Sequence, residues 1–319
     1  MAVNINENAL IQLINNGVDI IKPTLSTVVG AVMTVLFLRK NTETTEFAKI
    51  KSGHFEKVIE DLYNTGKITN LEIAKCKNFL DIAKIAEKYT INNETDFDSK
   101  SENREFDFDW FLRFFEASST ITNEEMKDLW GQVLAGEINQ IANFSLRTIE
   151  TLRNLSANEA KLFKKIAQMV LFDSQAMSCV FATNTTDEDD YNAKYGVPVQ
   201  EYQDLLDCGI LSTSPINMEV QASITVFNGS LALHLAKKED AQEPFRYRVF
   251  TLTQAGRQLL PIVDGVAKDD YLLALGKLLK RKNADNLQVS MYKIISIDEE
   301  GLDIDYETDL LSTEEEIDC

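Results

Sequence analysis

Histidine is almost absent from these 319 residues, with only His54 and His234 present. A catalytic or metal centre built on imidazole would need both to meet carboxylates over a long separation in the chain. Cysteine is sparse as well: Cys76, Cys179, Cys208 and Cys319 form no CxxC pair, so neither a zinc site nor a disulfide framework is expected. Serine-hydrolase elbows, HExxH, glycine-rich dinucleotide loops and calcium-loop spacing are all missing. Gly66-Lys67 lacks the earlier glycine and the following Ser or Thr of a phosphate loop, because Ile68 comes next. Basic residues disappear at the end of the chain. Asp298 to Cys319 carries eleven acids and no Lys or Arg, and without it the formal charge of -19 falls to -8. Such a run is expected to stay solvated and to repel phosphate backbones.

What is present is a large apolar fraction, 44% of the residues, enough for a proper core. A long hydrophobic run is another near-absence. The best candidate, Pro23 to Leu38, has sixteen uncharged residues between Lys22 and the pair Arg39 and Lys40. As a helix it spans about 24 Å, short of a hydrocarbon core of roughly 30 Å. Leu25, Val28, Val29, Gly30, Val32, Leu36, Phe37, Arg39 and Lys40 are therefore read as a membrane or oligomer contact. In the membrane case, the positive residues would hold the body on the cytoplasmic side.

From Asn41 to Tyr89 the pattern reads as a helical hairpin broken at Gly66, with Thr69 or Asn70 capping the second helix. A polar, acidic linker follows over 91–105. Phe106, Phe108, Trp110, Phe111, Phe114 and Phe115 then supply more apolar surface than one helix face needs, which predicts the centre of a bundle. Thr122 with Glu125, and Ser156 with Glu159, are spaced as capping boxes. Asp107 and Asp109, or Glu159 with Lys161, match a metal-nuclease pattern only in outline, since helix starts favour acids anyway.

After Phe172 a helix over Val199 to Cys208 is stopped by Gly209. Strict alternation through Met218, Val220, Ala222, Ile224 and Val226 predicts a strand, and the Asn228-Gly229 turn predicts a hairpin. A further strand, Phe245 to Leu252, leads into a helix capped by Thr253, and a helix over Lys268 to Asn283 precedes a last strand, Leu287 to Ile297. The order suggests a winged-helix-like unit. Its wing, VFNGSLALHLAKK, offers only Lys237 and Lys238 to a nucleic acid, and the acidic cluster Asp187 to Asp190 precedes it.

Four segments carry a resemblance: FEASSTITNEEMKDLWGQVLAGEI (Phe115 to Ile138), FSLRTIETLRNLSANEAKLF (Phe144 to Phe163), LLDCGIL (Leu205 to Leu211) and FTLTQAGRQLL (Phe250 to Leu260). Together they resemble an uncharacterised bacterial domain family over roughly residues 105 to 265. More distantly, they are similar to the abortive infection alpha family, whose members share a tryptophan, an LLA helix, an LS..EA helix and a late LT..G motif. That resemblance implies a bacterial phage-defence setting and brings no catalytic residue with it.

The expected architecture is mainly α with a smaller α+β part. It comprises an apolar N-terminal helix (1–40), a helical hairpin (41–90), a linker (91–105), a bundle (106–172), a winged-helix-like domain (173–297) and an acidic tail (298–319). The expected activity is protein contact, with self-association or membrane association through the N-terminus. The alternatives are a winged-helix nucleic-acid regulator and a metal-dependent nuclease. No cofactor and no metal are expected. The expected location is the cytoplasm, with attachment to the inner face of the membrane if the apolar segment inserts.

Overall fold

The computed structural model describes residues 63–66, 69–91, 108–139, 143–173, 178–181, 190–212, 215–264, 269–298 and 301–312. Expectations for Pro23 to Leu38, His54, Asp107, Asp187 to Asp189 and most of the 91–105 linker lie outside these residues. The chain divides into two compact units, 1–153 and 154–319.

In the first unit, helix α1 (Asn70–Ile91) begins at a reciprocal cap. The Thr69 N–H donates to Glu72 Oε2 at 2.7 Å and the Glu72 N–H donates to Thr69 Oγ1 at 3.3 Å. Its apolar stripe buries Cys76, Phe79, Ile82, Ala83 and Ala86. Helix α2 (Phe108–Ser118) buries Trp110, Phe111, Phe114 and Phe115, and α3 (Glu124–Asn139) buries Trp130, Val133 and Leu134. The rings meet edge to face, Phe79 on Phe115 and Phe114 on Trp130, each pair at 5.2 Å. Trp110, Phe111, Phe114 and Phe115 of the aromatic run are therefore core. Gly131 lets α3 approach α1, since a Cβ there would lie 2.4 Å from Ile85 Cγ2. The cap of α3 is one residue later than the spacing suggested: Asn123 Oδ1 accepts the Met126 N–H at 3.0 Å. Asparagine ranks above threonine at that position. Helix α4 (Leu146–Asn154) buries Thr148, Ile149 and Leu152.

The second unit corrects the expected fold class. It holds an eight-stranded antiparallel sheet, so the architecture is α+β with a major sheet, and the winged-helix reading falls. After α5 (Ala157–Ala167) come the short strands β1 (Leu171–Asp173) and β2 (Ser178–Phe181), then α6 (Asp190–Tyr195) and α7 (Val199–Asp207). Strands β3 (Ile216–Val220), β4 (Ser223–Asn228), β5 (Leu231–Lys237) and β6 (Phe245–Thr251) follow. Helices α8 (Gln254–Asp264) and α9 (Asp269–Lys282) and strands β7 (Leu287–Asp298) and β8 (Gly301–Asp305) complete it. The strand order is β3-β6-β2-β1-β4-β5-β7-β8.

The order explains why the run from Met218 to Val226 is not one strand. It breaks at Gln221 and Ala222 into β3 and β4, which have three strands between them in the sheet. Crossing three strands takes about 19 Å at the usual spacing, whereas a two-residue link reaches only about 10 Å. The linked ends must therefore converge and the far ends diverge. The pairing agrees: β2 touches β6 only at Val249 to Thr251, and β1 touches β4 only at Val226 and Phe227. The β1–β2 pair fills the wedge that this bend opens.

The supposed wing is the middle of the sheet. Strand β5 lies between β4 and β7, and Gly229 at φ 66 makes the turn that joins it to β4. Its Leu231, Leu233 and Leu235 are buried on one face, against which α9 packs through Gly276, whose added Cβ would stand 3.0 Å from Leu233 Cδ1. Fully buried Tyr271 of α9 meets Tyr195 of α6 edge to face at 5.2 Å.

Candidate interaction edge

The motif residues do structural work. Gly209, at φ 80, ends α7. Its carbonyl accepts the Thr253 hydroxyl at 2.6 Å, and the Ile210 carbonyl accepts the Thr253 N–H at 3.0 Å. The same Thr253 Oγ1 accepts the Gly256 N–H at 3.1 Å, capping α8. A Cβ on Gly256 would lie 2.4 Å from the Ile210 carbonyl oxygen, so glycine permits the approach. The LLDCGIL and FTLTQAGRQLL segments thus form one clasp. Ser156 and Glu159 make the expected capping box, with the Ser156 N–H donating to Glu159 Oε2 at 2.7 Å.

The chain belongs to the family described as Protein of unknown function (DUF2806), whose model matches residues 65–276. No curated protein and no solved structure matches the chain. Nothing in the DUF2806 description connects the family to abortive infection. The match takes in the clasp and ends within α9, before β7 and β8.

Of the residues considered for chemistry, His54 and Asp107 lie outside the described residues. Asp109 is an exposed acid in the first turn of α2, and Glu159 is engaged in its cap. His234 accepts or donates a hydrogen bond at 2.9 Å with Thr225 Oγ1, and burial lowers its pKa, which favours the neutral ring. Among the described residues, no group of three or more His, Cys, Asp or Glu could hold a metal ion. Burial pushes Cys76 and Cys208 up to about 11 and Cys179 up to about 12, far from a reactive thiolate. Lys238 is fastened to the chain after α9: its Nζ donates to the Ala284 carbonyl, and its N–H donates to the Asn286 carbonyl at 3.1 Å. Lys237 ends the internal strand β5 opposite Leu287. No helix among the described residues is long and apolar enough to cross a membrane.

The feature the sequence reading missed is in the acidic segment. Residues 301–305 form β8, and the chain beyond it is fastened back onto β7 by Asp309, which accepts the N–H groups of Met291 at 2.9 Å and Leu311 at 3.0 Å and the Ser312 hydroxyl at 2.8 Å. Burial opposes the Asp309 charge, yet these donors outweigh it and hold the carboxyl below its ordinary range. Strand β8 ends the sheet. Along it apolar and acidic residues alternate, Leu302, Asp303, Ile304, Asp305, and the alternation continues in Tyr306 and Glu307.

Register shows which side chains share a face. Ile304 pairs with Ile294 and Leu302 with Ile297, across a bulge between Ile294 and Ser296. The Tyr306 ring rests edge to face on Tyr292 at 5.0 Å. Tyr292, Ile294, Ile297, Leu302 and Tyr306 thus share a face around Ile304, which is itself buried, and of them Ile297 is 57% and Tyr306 61% exposed. On the other face Asp303 stands opposite Ser296 and Asp305 opposite Lys293. The strict alternation of 302–306 was the available signal, and the excess of acids around it masked it.

Proposed function

We propose that this chain is a non-catalytic bacterial phage-defence protein of the abortive-infection kind, which acts by binding another protein. The motif segments that carry the resemblance supply caps, core and a clasp. The shared part is thus a scaffold, and function rests with what the scaffold displays. One observation carries the reading: Ile297 and Tyr306 remain exposed at the sheet edge, where a soluble domain gains nothing by presenting large apolar side chains beside acids. In this reading Pro23 to Leu38, with Arg39 and Lys40, adds self-association or attachment to the inner face of the cell membrane.

The test is a plating assay in bacteria expressing the full-length chain, a version starting near Asn41, or Ile297→Glu with Tyr306→Glu. The full-length chain is expected to lower plaque formation at least tenfold for some member of a phage panel, and both altered versions to lose that protection. Equal plating for all three across the panel rejects the defence role. Protection that survives both changes rejects the display surface and the N-terminal segment as its means. Membrane fractionation of the same cells reports which pool holds the protein.

A further inference from the structure

We propose that the outer edge of β8, Leu302 to Asp305, receives an additional β-strand from a protein partner, and that this strand alternates apolar and basic residues. The inference rests on the protein-binding reading above and names the partner's chemistry. Three observations converge on it. Strand β8 is last in the sheet, so from Leu302 to Asp305 its outer backbone groups have no strand partner among the described residues. An incoming strand would complete that ladder. Its side chains would fall on two different surfaces, because β8 alternates strictly. On one face they would extend the patch of Leu302, Ile304 and Ile297, and on the other they would meet Asp303 and Asp305.

The same alternation disfavours a second copy of β8 as the occupant, since antiparallel self-pairing would bring acid beside acid on one face. Charge on an edge also serves to discourage aggregation, but an edge that is only guarded has no use for the exposed apolar face next to it. The opposite edge differs in its charge: on β3, Glu219 is bridged by Arg246 of β6 at 3.3 Å and Asn217 by Arg248 at 3.4 Å. On β8, by contrast, Asp305 stands opposite Lys293 and accepts the Glu307 N–H at 3.0 Å, and Asp303 has only Ser296 opposite it. Acidic character also disfavours a nucleic-acid occupant.

The experiment uses the full-length protein and a synthetic seven-residue peptide alternating Lys and Val, with an alternating Glu and Val peptide and a Lys/Val peptide of the same composition in blocked order as controls. Calorimetric titration is expected to show the alternating Lys/Val peptide binding at least tenfold more tightly than either control. Asp303→Lys is expected to weaken it about tenfold. Hydrogen exchange is expected to slow at Leu302 and Ile304 when the peptide is bound. Equal affinity for the three peptides, no binding at millimolar peptide, or binding that leaves the Leu302 and Ile304 amides unprotected overturns the proposal. Should Asp303→Lys fail to fold by circular dichroism, the charge-reversed peptide and the exchange data decide alone. Phage protection without peptide binding would remove the strand-docking edge and leave the defence role. Peptide binding without phage protection would do the reverse.

Discussion

At the scale of single residues, Gly256 and Thr253 explain why a weakly informative motif is built as it is. Glycine to alanine in an exposed helix normally gains about 1 kcal/mol. At Gly256 the new methyl would stand 2.4 Å from a backbone carbonyl that cannot swing aside, so Gly256→Ala is expected to destabilise by about 2–3 kcal/mol. Thr253→Ala removes a helix cap and the hydroxyl held by Gly209, at an expected cost of about 1–2 kcal/mol. Urea unfolding midpoints check both, and a stabilised Gly256→Ala would refute the close approach. Caps of this kind are legible because their geometry spans only three or four residues. Ser156 with Glu159 and Thr253 were readable, as was Thr69 as one of two candidates with Asn70, and the α3 cap missed by one residue because Thr122 and Asn123 are adjacent candidates.

At the scale of elements, the Asp309 fastening has a pH signature. Its carboxyl is held below the ordinary value of 3.8, so its contribution is complete above that value and is lost as pH falls through the lower, folded value. The melting-temperature gap between the wild type and Asp309→Asn should be widest at neutral pH and close on acidification below about pH 4. A gap that widens in acid would reverse the sign. Helices were largely legible in the sequence because their period and their stops are local. Strands were legible singly and misassembled collectively. The Asn228-Gly229 hairpin was found, but β1 and β2 are three and four residues long and largely buried, so neither shows alternation. The run through Ala222 reads as one strand because the bend costs it no apolar residue. The winged-helix reading failed at the partner of Phe245–Thr251, which is β2 on one side and β3 on the other, a fact carried by no local pattern. Of the candidate edge, β7 was read as the last strand, Leu287 to Ile297, and β8 could have been read from its alternation, whereas the bulge that sets their register could not.

At the scale of the whole molecule, a formal charge of -19 means self-repulsion that the folded state must tolerate. Most ion pairs among the described residues are exposed, as in Arg153 with Glu150 and Lys194 with Asp270. Screening should therefore relieve more repulsion than it removes attraction. Raising sodium chloride from about 20 mM to about 200 mM is expected to raise the melting temperature by a few degrees, as differential scanning fluorimetry would read it. A fall would show that attractive pairs dominate.

The wedge between β3 and β4 also sets an order of assembly. Strands β1 and β2 leave the ribosome early, yet β1 finds β4 only after Val226 has been made, and β2 waits for Val249 to Thr251. A nascent chain stalled before Phe245 would hold a hairpin with one flank bare and no means of closing the gap. Refolding from denaturant should accordingly be slow for a domain of this size, with the last rate set by the insertion of that small hairpin and not by helix formation.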